Sequence, residues 1–245
     1  MASTNPAPFD GEKVVIIGGT SGFGLATAQA AARDGAAVVV ISRTHTSVDR
    51  ALEQLPATAT GLAVDVRDEA ALRTAFDTVG DFDHLVFTAG DALRPMPLVE
   101  TSLDDAKAFF DVRFWGAYAS AKYGSPHIRP GGSIVLTAGT AGRRPSAGSA
   151  LGASVSTAME GLTRALALEL APVRVNLVIA GLIRTPLWDP FPEQTREAIF
   201  ASTAARIPAG RVGEGEDIAA ANLYLMHQAY ATGTSVVVDG GSLLA

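Results

Sequence analysis

The sequence predicts an α/β protein built on one seven-stranded parallel sheet, doubly wound, with helices on both faces. Three observations carry this expectation. Short β-rich runs alternate with helical patterns almost to the end of the chain. The runs are continuously apolar rather than alternating, as strands buried on both faces require. The first run passes through a glycine-rich turn directly into a helix, and right-handed crossovers then place any ligand beyond the carboxyl ends of the strands.

VVIIGG (14–19) reads as the first strand, and residues 22–33 as the first helix. AAVVVIS (36–42) is a second strand, with a helix near 48–55. GLAVDV (61–66) is a third, followed by a helix over 69–79. HLVFTAG (84–90) is a fourth, and one long helix is expected across 103–123. SIVLTAG (133–139) is the fifth strand. In the helix after it, Leu151, Val155, Met159, Leu162, Leu166 and Leu170 recur at helical spacing. A second face of that helix begins at Gly152 and continues one turn later at Ser156. VRVNLVIAG (173–181) and TSVVVDGG (234–241) complete the sheet. Residues 186–208 are inserted before the last helix and hold Trp188 and Phe191 between prolines. They read as a loop and helix capping the cleft, with two exposed-looking rings that either meet an apolar or aromatic ligand or pack the lid onto the body.

No repeat or linker breaks the pattern, so residues 13–245 form one domain. Residues 1–12 read as a short, loosely ordered arm without the basic flank and apolar core of a signal peptide. The chain has 245 residues, 48% of them hydrophobic, enough for a full core. Charged residues make up 18%, the net charge is -6, and the basic residues are scattered, which argues against nucleic acid. No apolar run is long enough to cross a membrane, and a soluble, cytoplasmic protein is expected. There is no cysteine, and the four histidines at 45, 84, 127 and 227 include no pair at metal-ligand spacing; no metal site is expected. His84 and His127 read as structural or solvent-facing.

The loop Gly18-Gly19-Thr20-Ser21-Gly22-Phe23-Gly24 joins the first strand to the first helix. Glycines there let the backbone turn sharply and approach a pyrophosphate, whose charge the helix N-terminus favours. The second strand ends at Ser42-Arg43, where an acidic residue would bind ribose hydroxyls. A serine and an arginine instead suit a 2′-phosphate, with Thr20 and Ser21 as further donors, and NADP(H) is expected over NAD(H).

With these motifs the chain resembles a compact short-chain dehydrogenase/reductase with a Rossmann-type fold, from about Lys13 to Gly241. Asp65-Val66 resembles the pair that holds the adenine. Thr88-Ala89-Gly90 resembles the segment that stabilises the central sheet. Ala180-Gly181, with Ile183 and Thr185, resembles the segment contacting the nicotinamide carboxamide. Gly210-Arg211-Val212-Gly213, Asp217-Ile218-Ala219 and Val238-Asp239-Gly240-Gly241 fit as well. The resemblance implies a homodimer or homotetramer formed through the fourth and fifth helices and the C-terminal segment.

Members similar to this use an Asn-Ser-Tyr-Lys tetrad, in which the tyrosine is general acid/base. Here the phrase Glu160-Gly161-Leu162-Thr163 fixes the register, and the tyrosine position falls on Gly152, the lysine on Ser156, the serine on Gly139 and the asparagine on Arg113. No tyrosine or lysine lies between Tyr123 and Tyr224, so no one-residue shift restores the pair. The cofactor half is complete while the proton-handling half is replaced. Arg113 cannot serve as a general acid; it can pair with a carboxylate or stabilise charge on oxygen, or be tied to Asp91, Asp111 or a backbone carbonyl. Asp91 is the other weak catalytic candidate. The expected substrate is a small molecule, apolar or carboxylate-bearing, that needs no proton from the protein: an imine or an activated alkene. A non-catalytic NADP(H)-binding sensor or partner, and a non-redox enzyme reusing the cleft, are the alternatives.

Overall fold

The computed structural model describes residues 8–91 and 96–245. Strands β1 (Lys13–Ile17), β2 (Ala37–Ser42), β3 (Thr60–Ala63), β4 (Phe82–Phe87), β5 (Ile128–Gly139), β6 (Arg174–Ala180) and β7 (Ser235–Val238) form one sheet in the order β3-β2-β1-β4-β5-β6-β7. Every neighbouring pair is parallel. The winding reverses between β1 and β4, which opens a crevice beyond their carboxyl ends.

The period of two in a strand sorts the apolar residues onto two faces. Val14, Ile16, Val38, Val40, Val86, Val135 and Val178 turn to one layer, where they meet Ala28 and Ala31 of α1 (Gly22–Arg33), Leu52 of α2 (His45–Leu52), and Ile218 and Leu225 of α8 (Gly215–His227). Val15, Ile17, Ile41, Leu85, Phe87, Leu136, Leu177 and Ile179 turn to the other. They pack on Leu72 and Phe76 of α3 (Glu69–Val79), Ala117 and Ala121 of α5 (Ala117–Gly124), and Met159 and Leu166 of α6 (Ala150–Glu169). Strands with apolar side chains on both faces are what produced the unbroken apolar runs. No helix among the described residues is long and apolar enough to cross a membrane.

Among the differences from the sequence reading, four bear on the site or the core. The helix expected over 103–123 is split into α4 (Leu103–Phe110) and α5 by a π-helical stretch, Asp111–Gly116, centred near Arg113. There Gly116 is pressed against the segment after β3 and against β4: a Cβ on it would lie 2.7 Å from Val66 Cγ2 and 3.4 Å from Phe87 Cζ. β3 stops at Ala63 and leaves Asp65 and Val66 in a turn, because the Asp65 carboxylate folds back onto Arg67. Trp188 is half-buried rather than exposed. It sits between Phe191 and Phe200 of α7 (Glu193–Ala204), each ring 5.6 Å away, and its Nε1–H donates to the Ile183 carbonyl at 3.2 Å. Residues 1–7 of the expected arm lie outside the described residues, but from Phe9 onward the chain is part of the body. Phe9 is fully buried against the His84 and His227 rings.

Candidate functional site

A cavity of about 520 Å³ opens at the carboxyl ends of the strands, within the size range of small-molecule sites. The glycine loop forms one wall. Gly18 and Gly22 have φ of +81° and +50°, values that side chains rarely tolerate. A Cβ on Gly18 would lie 2.6 Å from Ala89 N, so the loop rests directly on the segment after β4. Thr88 fastens the two together, its N–H and hydroxyl both donating to the Ile17 carbonyl at 2.8 and 3.0 Å. Gly24, where a Cβ would lie 2.2 Å from Gly18 O, lets α1 begin against the turn, so that the first turn of α1, Gly22 to Gly24, lines the cavity.

Ser42, Arg43, Thr44 and Ser47 line the cavity where β2 meets α2. Thr44 caps α2, accepting from Ser47 N–H at 3.2 Å. The Arg43 guanidinium is mostly exposed and stands 4.0 Å from the Asp91 carboxylate, a separation at which water-screened attraction is weak. Asp65 accepts from Arg67 at 2.5, 3.0 and 3.1 Å, and this guanidinium holds its carboxyl below the usual value despite partial burial. Arg67 was not singled out by the sequence reading; the Asp-x-Arg spacing was its signal. Thr44 and Ser47 were missed too, although Thr44 carries the residue type of an N-cap.

The third wall brings together the four positions read from the helix register. Arg113, Gly139, Gly152 and Ser156 all line the cavity. Ser156 is buried, and its Oγ accepts from Gly139 N–H at 3.4 Å. The Arg113 guanidinium donates to the Asp91 carbonyl at 2.6 Å and lies 5.0 Å from the Phe109 ring centroid. It occupies the space where Gly90 lacks a side chain, 2.6 Å from that missing Cβ. Burial lowers its pKa from the ordinary arginine value while Asp91 opposes the shift, and a guanidinium stays cationic at neutral pH. Arg113 is thus tied to a backbone carbonyl and also lines the cavity. Among the described lining residues the ionisable side chains are Arg43, Asp65, Asp91 and Arg113. Thr137 Oγ1, also on this wall, is buried without a partner among the described residues.

The roof comes from the segment after β6. Gly181, Ile183, Thr185, Leu187 and Trp188 line it; Phe191 does not, and packs on Trp188 instead. A Cβ on Gly22 would approach Thr185 at 3.2 Å, so roof and glycine loop nearly touch. The remaining motifs buttress this roof. Gly213 pairs with Ile183 as an isolated parallel bridge, and Arg184 N–H donates to Gly213 O at 2.8 Å. Arg211 clamps Asp217 with two bonds of 2.7 Å. Asp239 accepts from Gly241 and Leu243 N–H and folds the end of the chain onto Gly181, whose missing Cβ would lie 2.6 Å from Asp239 Cα.

A sheet of this order with a glycine turn at its switch point is the scaffold of dinucleotide-binding α/β proteins. A family model described as enoyl-(acyl carrier protein) reductase matches residues 18–242. The short-chain dehydrogenase/reductase ucsE of Acremonium sp is 37% identical over all of both chains. ATR9 of Stachybotrys chlorohalonatus, named in the same way, is 35% identical over 96% of this chain and 98% of its own. Among solved structures, a small-chain dehydrogenase in complex with NADPH aligns with a TM-score of 0.86 at 36% identity, covering 96% of this chain and all of that one. The MalC reductase/Diels-Alderase from Malbranchea aurantiaca aligns at 0.91 and 29% identity, covering 98% and 99%. The chain belongs to the short-chain dehydrogenase/reductase family and is an oxidoreductase of that type.

Proposed function

We propose that this protein transfers hydride between NADP(H) and an acceptor that takes no proton from the protein: an imine in its protonated form, or an activated alkene whose hydride adduct, an enolate, takes its proton from solvent on release. The observation that carries the reading is the wall formed by Arg113, Gly139, Gly152 and Ser156, which holds no tyrosine or lysine. A general acid contributes about 10²–10⁴ in rate, so reduction of a plain ketone here would forgo that factor. An iminium carbon is already electrophilic: it accepts the hydride pair, the C=N π pair returns to nitrogen, and the amine forms with no proton supplied.

The residues present fit NADP(H). The bare backbone of Gly18 and Gly22 gives a pyrophosphate close approach, and the α1 N-terminus favours its charge. Arg43, Thr44 and Ser47 would hold a 2′-phosphate, with Thr20 and Ser21 beside them. The Asp65 carboxylate, fixed by Arg67, would meet the adenine, and Gly181, Ile183 and Thr185 the nicotinamide end. The bound cofactor supplies the hydride. The protein's part is to hold the acceptor beside it, since proximity removes several kcal/mol of barrier, and to exclude water under Leu187 and Trp188. Arg113 orients the acceptor through a carboxylate, or steadies negative charge on the oxygen of an activated alkene.

The test is NADPH consumption by the purified protein with an N-methyl dihydroisoquinolinium salt, with an unsaturated carboxylate, and with the isosteric ketone. Turnover of either of the first two, with the ketone about 10² slower or silent, supports the reading. A ketone rate equal to theirs overturns it. Arg113→Met should raise KM for the carboxylate about tenfold or more; an unchanged KM removes Arg113 from the substrate's path.

A further inference from the structure

Gly152 differs from the other glycines around the cavity. Gly18, Gly24 and Gly90 are demanded by contact, because a Cβ on each would fall within 2.6 Å of a neighbouring atom. A Cβ on Gly152 would meet nothing within 4 Å, and its φ is not positive. It is the third residue of α6, where alanine is the better helix former. Neither strain nor crowding asks for glycine there. The bareness extends to its neighbours on the wall: a Cβ on Gly139 would meet only Ser156 Oγ, at 3.7 Å. That hydroxyl is drawn back onto Gly139 N–H. The same cavity offers apolar surface from Phe109, Leu187 and Trp188, and a cation at Arg113.

We propose that Gly152 sets the size of substrate the cleft admits. The bare patch of Gly139, Gly152 and Ser156 seats the flat, fused-ring body of an apolar substrate that carries one anionic oxygen group for Arg113. This deepens the hydride-transfer reading and rests on it for placing the substrate in this cleft.

Anilinonaphthalene sulfonate is a suitable probe, since it joins a flat apolar body to one anionic group. It is titrated by fluorescence against the full chain saturated with NADP⁺, in the series Gly152→Ala, Gly152→Val and Gly152→Phe, with Tm and NADPH affinity measured alongside. The expected result is stepwise weakening, about tenfold or more by valine, while NADPH affinity changes by less than about threefold. Gly152→Ala, which improves helix propensity and adds one methyl to open space, keeps the series informative if bulkier variants unfold. Equal probe affinity across folded variants overturns the proposal. So does a parallel loss of NADPH affinity, which would assign the space to the cofactor. If the probe series behaves as expected while no imine or alkene is reduced, the seat stands and the hydride reading falls. If reduction proceeds while the probe series is flat, the reverse holds.

Discussion

In the proposed reading, Arg43 is the side chain on which the choice of cofactor turns. It is largely exposed, it directly follows β2, and the Asp91 carboxylate is 4.0 Å away. A guanidinium so placed gains little from that neighbour and is free for a phosphate, whose charge-assisted bonds are about twice as strong as neutral ones. Arg43→Asp should weaken NADPH binding by about 10²-fold and leave NADH unchanged or tighter, as read by nicotinamide fluorescence. Equal loss for both would mean that Arg43 acts on the fold and not on the 2′ position. This residue was legible because strand and loop fix its place locally. The Arg67 clamp on Asp65 was overlooked at a spacing of only two residues. The Gly90–Arg113 packing was out of reach, since it joins β4's loop to a helix twenty-three residues later.

At the scale of elements, the four wall positions could be read in advance because the resemblance supplies local anchors, such as Glu160-Gly161-Leu162-Thr163 on α6, and a helix carries that register back to Gly152 and Ser156. The π-helical stretch could not, since nothing local in Asp-Val-Arg-Phe-Trp-Gly marks an extra residue in a turn. Such stretches occur often at functional sites, and this one places Arg113 on the cavity wall. The start of α8 is the other informative element. Glu214 and Asp217 form a reciprocal capping box, and Arg211 binds the same carboxylate. The Arg211 guanidinium and then the Glu214 N–H lower the Asp217 pKa from 3.8 to about 2. The folded state therefore holds this group ionised where the unfolded chain would protonate it. Its stabilisation is complete above about pH 4 and is lost as pH falls from there towards 2. Asp217→Asn should cost about 1 kcal/mol at neutral pH and flatten the acid limb of Tm against pH in that window. The Gly213 buttress stands beside this cap, so NADPH affinity should weaken with it. An unaltered acid limb would show that the pair contributes nothing measurable.

For the whole molecule, the two ends of the sheet divide the work. The cavity lies beyond the carboxyl ends, while a buried polar cluster closes the opposite end. His84, 4% exposed, has Nδ1 at 2.9 Å from Ser133 Oγ and Nε2 at 2.9 Å from Glu12 Oε2. With Glu12 ionised, Nε2–H donates to the carboxylate and the Ser133 hydroxyl donates to Nδ1, which satisfies the neutral ring. The sequence offered His84 as structural or solvent-facing. Its partners lie seventy-two and forty-nine residues away, so only the closed sheet identifies them. Burial pushes its pKa below 6.5, Arg174 adds to that, and Glu12 and Asp83 pull the other way without prevailing. The folded state thus binds fewer protons than the unfolded chain below 6.5, and stability rises with pH there. The wild-type Tm should hold above pH 6.5 and fall as pH drops below it, until the folded ring itself protonates. His84→Asn should lower Tm at pH 7, by the equivalent of about 1–3 kcal/mol for broken buried bonds, and lose that particular slope. NADPH affinity at pH 7 should not change, because the cluster and the cavity sit at opposite ends of the strands. A variant that kept the wild-type slope would assign the acid sensitivity to other groups. One that lost NADPH affinity while remaining folded would show that the two ends are coupled through the sheet.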